Sequence, residues 1–342
     1  MTSPVLGLSA VRERESGAPD VTGVLVLGAC AGWALITAAG RDARPEGVLL
    51  AVLAVGAGYA CGRITGSLLP VGAGTLAALG GLCLGLFGPQ SSRALPGALE
   101  FSGPAGRTGV TAALLTLAVG AACCAAWATT ARPVRLALRL LAAGTVVAAL
   151  LVGTPAGFGA ALAVLLCSLA AGRLRRRLWW LATLALVAAA VMGLTWAVAQ
   201  GVLPAGLASA LEGQLTEHRV ALWQDALTVT REHPLFGSGP DTFGDLSPAN
   251  QADIRSDGRP HSAPLQLAAE QGLPGLALLA AVYGWLLLAL WASPRPTPVV
   301  LTAGAALSAL AALASIGNAL SFTQVTAGAG LLAGIACARQ LS

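Results

Sequence analysis

Ten apolar runs of bilayer-crossing length decide what this chain can become. They fall at about 21–39, 46–62, 68–88, 109–130, 136–153, 156–172, 178–199, 274–292, 299–317 and 322–338. A hydrocarbon layer offers the backbone no water, so a crossing segment must pair its N–H and C=O groups internally. About 20 apolar residues in a helix do this. The chain is 56% hydrophobic and 10% charged, whereas a soluble domain carries about 25% charge. The fold class that follows is all-α: a polytopic integral membrane protein of about ten helices with a small helical extracytoplasmic loop domain. The shortest runs are 46–62 and 156–172. Around Gly153-Thr154-Pro155 a tight helical hairpin and one broken span are both compatible with the pattern.

Arginine placement sets the expected orientation. All twenty basic residues are Arg. The run Arg173 to Arg177, and Arg132, Arg135 and Arg139, belong on the cytoplasmic side by the positive-inside rule, and ten spans give them the same parity. Twelve arginines are then inside and eight outside. Residues 1–20 form a polar tail, expected to be disordered, inside and without a cleavable leader. Residues 21–199 hold the first seven spans, and residues 274–342 the last three with the C-terminus. The net charge of +5 is spread between spans, which suits anionic lipid better than nucleic acid. The seven cysteines all lie in apolar runs, as buried small side chains and not as a disulfide or thiolate framework.

Between the seventh and eighth spans the character of the chain changes. Residues 200–273 hold all three histidines (His218, His233, His261) and nine of the fifteen acidic residues. Long loops that persist commonly carry function. A helix is expected over about 208–232, with Arg219, Trp223, Ala226 and Thr230 on one face and Pro234 ending it. The segment LFGSGPDTFG is too rich in Gly and Pro for regular structure. A short second helix should open near Pro264 and end at Gly272, with Pro274 opening the next span.

Each chemical candidate has a plainer alternative. His261 has the residue type of a general base, or is a solvated loop histidine. Arg219 presents a planar fork suited to phosphate, or is one charge on an amphipathic helix. Arg259, two residues before His261, is a further cationic candidate. Gly237 and Gly239 could shape a backbone nest for an anion, or simply a turn. Trp223 and Phe243 could stack on a sugar or form the small core of the loop. The histidines lack metal-ligand spacing, and no GxSxG elbow occurs. No charge lies in the middle of a span, which counts against ion-coupled transport.

Taken together, Arg219-x3-Trp223-x2-Ala226, then His233-Pro234-Leu235-Phe236-Gly237-Ser238-Gly239 and Phe243, then His261-Ser262, Gln266, Glu270, Gly272 and Gly275, resemble the O-antigen ligase / Wzy polymerase superfamily. The resemblance implies glycosyl transfer at the outer face of the cytoplasmic membrane, without metal or other cofactor. The donor would be a glycan on a polyprenyl diphosphate such as undecaprenyl diphosphate. The acceptor would be a hydroxyl of another glycan or glycolipid. His261 would activate the acceptor and Arg219 would bind the donor diphosphate. Arg259, Trp223, Gly237, Gly239 and Glu270 would complete the substrate site. The chain departs from the family pattern in having ten spans where about twelve are usual, and in reading GTPAGFGA at Gly153 to Ala160 where many members place an arginine. A flippase for the same lipid-linked substrate and a non-catalytic paralogue are the alternative expectations.

Overall fold

A computed structural model of the chain describes residues 5–91, 104–174, 176–202, 217–252 and 258–339. The described residues form helices and turns without strands. Ten helices are apolar: α1 (Val5–Ala38), α2 (Glu46–Leu68), α3 (Pro70–Ser91), α4 (Pro104–Ala128), α5 (Arg132–Leu151), α6 (Pro155–Ala171) and α7 (Arg177–Ala199), then α11 (Ala263–Ala292), α12 (Thr297–Ser315) and α13 (Thr323–Cys337). Between α7 and α11 lie the polar helix α8 (Glu217–Glu232) and two single turns, α9 (Phe243–Leu246) and α10 (Pro248–Gln251). Among the described residues, eight helices are long and apolar enough to cross a membrane, while α6 and α13 are apolar but shorter. The chain is a polytopic membrane protein.

The expected spans and the helices coincide in number and order, with three adjustments. The first helix begins at Val5, so the segment expected to be a disordered tail is helical from there on. The run placed at 46–62 extends to Leu68. Gly153, with φ +73°, makes the turn between α5 and α6, so this pair is a hairpin and not one broken span. The predicted helix start at 208 lies outside the described residues.

The core is built around α4 and α12. In α4 94% of the apolar stretch is buried and in α12 72%, against 17–28% in the six other long spans. Those six turn most of their surface outward, as helices facing lipid do. The cysteines divide likewise. Cys30, Cys123, Cys124 and Cys337 are buried as expected, whereas Cys61, Cys83 and Cys167 are exposed; all seven are free.

Helices α2 and α13 meet backbone to backbone. A Cβ at Gly58 would collide with the Ala327 carbonyl and one at Gly62 with the Leu331 carbonyl. From the other side, Gly330 abuts the Val55 carbonyl and Gly334 the Tyr59 carbonyl. Glycines four apart on both partners give two facing grooves. In lipid, where the hydrophobic effect does not drive helix pairing, such close approach supplies the dispersion contact.

Hydrogen bonds between connections sort the helix ends into two faces. On one, Asp20 pairs with Arg63 at 3.2 Å, Arg295 donates to the Gly66 carbonyl and Arg177 donates to the Leu290 and Ser293 carbonyls. On the other, Arg41 donates to the Gly237 carbonyl at 2.8 Å, the Arg44 amide to Pro240 at 2.9 Å and Arg219 to Ile316 at 3.5 Å. This is the alternation that the arginine count requires.

Replacing Gly62 or Gly334 by Leu is expected to lower stability by about 1–3 kcal/mol or more, because the facing backbone cannot retreat. Gly144→Leu, at a position with no neighbour within 4 Å, is expected to be neutral. Thermal unfolding of the detergent-solubilised variants checks both.

Candidate active site

The loop domain is organised by the amphipathic helix α8. Leu222, Trp223, Ala226, Leu227, Val229 and Thr230 are its buried positions. They pack with Phe243, Leu265, Ala269 and, at the end of α7, Ala199 into a second core. Trp223 and Phe243 are both 0% exposed. The expectation that Trp223 stacks on substrate is therefore corrected: its ring fills the loop core, where a large aromatic removes the most apolar surface from water. Its indole N–H has no hydrogen-bond partner.

Pro234 follows the end of α8, and the chain turns through Gly237, φ +62°. Opposite it, α11 is interrupted. Gly272 adopts φ 71°, ψ −173° and Pro274 lies two residues on. The short helix expected to run from Pro264 to Gly272 is thus present, joined end-on to the eighth span. The break removes amide partners from the last turn of the short segment, and buried carbonyls must then be satisfied otherwise. Leu273 N–H turns away to the Pro234 carbonyl, Ser238 N–H takes the Ala269 carbonyl at 2.9 Å and Gly239 N–H takes the Glu270 carbonyl at 2.8 Å. The Trp33 indole N–H, from α1, takes the Gln271 carbonyl at 2.9 Å.

These bonds correct the nest expectation for Gly237 and Gly239. Gly237 N–H donates to His233, Ser238 and Gly239 to α11, so their amides cap a helix end and do not face an anion. A Cβ on Gly237 would strike the Glu270 carbonyl, so close approach of the two backbones requires glycine here.

Above this joint lies a polar cluster. Glu270 is 3% exposed. Burial pushes this carboxyl up to a pKa of about 7, while hydrogen bonds from the Asp241 amide and from Gln266 Nε2 at 3.2 Å, and more weakly the Arg259 charge, act against that rise. A carboxylate is tolerated at such burial only with partners of this kind. Asp241 has φ 63° and His261 φ 52°; among the described residues they are the non-glycine residues with positive φ. Left-handed backbone at such residues is uncommon and gathers at functional sites.

A polar relay fixes the approach to His261. Asp225 on α8 accepts from Ser247 Oγ at 2.6 Å and from the Ala249 amide at 3.0 Å. Ser247 Oγ in turn caps the Asn250 amide. Asn250 Oδ1 then accepts from the Gly258 amide at 3.0 Å, one residue before Arg259. His261 follows, half-buried. Ser262, the N-cap of α11, is 0% exposed, its hydroxyl making no cap bond and having no hydrogen-bond partner.

Arg219 sits at the near end of α8, half-buried, with Nη1 toward the carbonyl of Ile316, the C-cap of α12. Burial lowers its proton affinity from the ordinary arginine value. The structure thus joins Glu270, Arg259, Gly237 and Gly239 in one cluster and leaves Arg219 at the α12 end of the loop core. His218, His233 and His261 do not form a metal-binding group with any other His, Cys, Asp or Glu among the described residues. Trp33 and Arg41 join the site from α1 and the turn after it. Sequence reasoning missed both, and an aromatic and a cation at a span end carried no signal to separate them from interfacial anchors.

Gly237→Ala is expected to destabilise the loop by about 1–3 kcal/mol, combining a disfavoured φ with overlap. Faster proteolytic cleavage within residues 203–257, with the membrane core still intact, is the measurement that checks it.

The sequence model of the O-antigen ligase family matches residues 153–280. No curated protein and no solved structure matches the chain. The matched stretch contains α8, the Gly237 turn, the relay to His261 and the interrupted start of α11, and over these residues the chain is similar to the O-antigen ligase family.

Proposed function

We propose that the protein transfers a glycan from a polyprenyl-diphosphate carrier to an acceptor hydroxyl at the outer face of the cytoplasmic membrane, as ligase or repeat-unit polymerase in cell-surface polysaccharide synthesis. The observation that carries this reading is the position of Arg219. Its guanidinium lies against the Ile316 carbonyl that ends an apolar span, beside the loop core.

The chemistry asks for two functions. The acceptor oxygen attacks the anomeric carbon of the donor sugar and gives up its proton, for which His261 is the base. The bond from that carbon to the diphosphate oxygen breaks, and the diphosphate leaves with the electron pair. Charge grows on the leaving group, so a cation placed there lowers the barrier more than it lowers the ground state. Arg219 supplies that charge, with Arg259 as the second cation. Glu270 is a positioning residue: packed against the Gly237 turn and attracted to Arg259, it orients that side chain. The arginines take the role that a metal has in other diphosphate-dependent transferases.

His261→Ala is expected to reduce transfer about a hundred- to ten-thousand-fold. Arg219→Ala should cost about a hundred- to a thousand-fold. Both should leave membrane insertion unchanged, and an assay with a polyprenyl-diphosphate glycan donor reads the outcome. Full activity in both variants overturns these roles.

The side of the loop is tested separately. A cysteine at Gln251, exposed on α10, should react with an impermeant thiol reagent in intact cells above the background of the native cysteines. Reaction seen only after the cells are broken open would invert the orientation.

A further inference from the structure

We propose that the arginines gathered around Trp127, on the face opposite the loop domain, bind the headgroup of a phospholipid that carries two phosphates. The hairpin of α5 and α6 returns the chain to the face it left, so the first turns of α5 and the residues after α6 are neighbours. Arg132, Arg135 and Arg139 come from the former, Arg173 and Arg176 from the latter. Trp127, at the end of α4, lies between the two banks. The Arg139 guanidinium stands 5.6 Å from its ring centroid, within reach of the ring quadrupole. On the α6 side, a Cβ at Gly172 would strike the ring at 2.9 Å. The indole N–H donates to Ser168 Oγ at 3.1 Å, and Thr302 Oγ1 on α12 donates to the same oxygen at 3.0 Å. The ring is thus fixed against α6 and holds the two banks of cations side by side.

Three features point to a lipid phosphate. The first is that the protein supplies no counter-charge. Among the described residues none of these five arginines is paired with a carboxylate, and Asp20, on the same face, is taken by Arg63. Arg177 and Arg295 donate to helix-end carbonyls, whereas Arg132, Arg173 and Arg176 are exposed. Their planar forks suit phosphate oxygens. The second is that the cations run directly into aliphatic surface. Arg132, Leu136, Leu140, Val147 and Leu151 follow one exposed stripe down α5 at helical spacing. Trp179 and Trp180 stand exposed at the start of α7, as interfacial anchors do. A ligand that meets both surfaces has an anionic head and long apolar chains. The third is that the connections here are short, residues 129–131 and 172–176. The cluster therefore stays in the membrane plane and raises no surface toward a soluble acidic protein. Two banks of cations flanking one ring match two phosphates better than one, and basic sites between spans suit such headgroups.

The test uses the full-length protein in neutral detergent, with native mass spectrometry to count retained lipid. Diphosphatidylglycerol is expected to be retained in preference to phosphatidylglycerol, and phosphatidylcholine least. Replacing Arg132, Arg173 and Arg176 together by Gln should weaken retention about a hundredfold, on the order of fivefold for each cation. These side chains are exposed, so thermal unfolding in lipid-free detergent should match the parent. Should the triple variant fail to insert, Arg173→Gln alone decides by a loss of about fivefold. Arg231→Gln, exposed on α8 in the loop domain, should retain the lipid as the parent does. Equal retention of phosphatidylcholine, unchanged binding by both the triple variant and Arg173→Gln, or an equal loss in Arg231→Gln would each overturn the proposal. Release of the lipid by an equal concentration of inorganic pyrophosphate would make this a site for a free anion. Retention of polyglutamate in place of lipid would make it a protein-docking surface, and either result overturns the lipid assignment.

Discussion

A helix that stops at the membrane surface leaves carbonyls that must find donors, and the arrangement of this site follows from how the chain meets that demand. At Gly272 the turn carrying Ala269, Glu270 and Gln271 loses its own amides, one to a turned backbone and one to the missing N–H of Pro274. Water is the usual remedy at a helix end, but these residues are buried. The donors come from Ser238, Gly239 and Trp33. Each bond fixes a separate part of the chain: the turn after α8, and the end of the first span. A polar loop is thereby tied to a membrane frame by main-chain hydrogen bonds as well as by the apolar face that α8 packs against α7 and α11. This constraint also explains why glycine stands at Gly237, where two backbones come within van der Waals contact of one another.

Arginine serves the same demand elsewhere. Arg177 closes the end of α11, Arg295 the end of α2 and Arg219 the end of α12. A cation at a helix C-terminus is favoured by the helix dipole and by unpaired carbonyls. Arg219 differs from the other two in its setting. Arg177 and Arg295 are in the connections of the opposite face, whereas Arg219 belongs to the loop core beside α8. Cation and carbonyl there hold each other in place, so the guanidinium is oriented beside the loop core.

Spans were legible in the sequence because lipid imposes length and apolarity on every one, and the sites of their ends followed from Gly and Pro. The break at Gly272 and Pro274 was legible for the same reason. His261 and Glu270 stood out by order in a family pattern, and the structure gives Glu270 a buried, bonded setting that its position alone did not imply. Two things were left open. Trp223 could meet substrate or fill the loop core, since an amphipathic helix shows which residues share a face but not what covers that face. The glycines of GSG could form an anion nest or a plain turn, since a turn with outward amides and one with amides turned to a neighbouring helix share one sequence. Trp33 and Arg41 were invisible because they lie 238 and 196 residues from the groups they bond, a distance that local pattern does not cross.

Strain and rigidity meet in the polar cluster. Asp241 and His261 both occupy left-handed backbone, a cost of order 1–3 kcal/mol each. A loop free to relax would give up that conformation. Here the Asp241 amide is held by the Glu270 carboxyl, and the strand of chain before His261 is held through Gly258, Asn250, Ser247 and Asp225 to α8. Glu270 is in turn fixed from behind by the Gly237 turn. The two strained residues are thus clamped from different helices, α11 for one and α8 for the other, and the core between those helices is the buried face of Trp223. The backbone that carries the His261 imidazole therefore depends on the packing this ring provides.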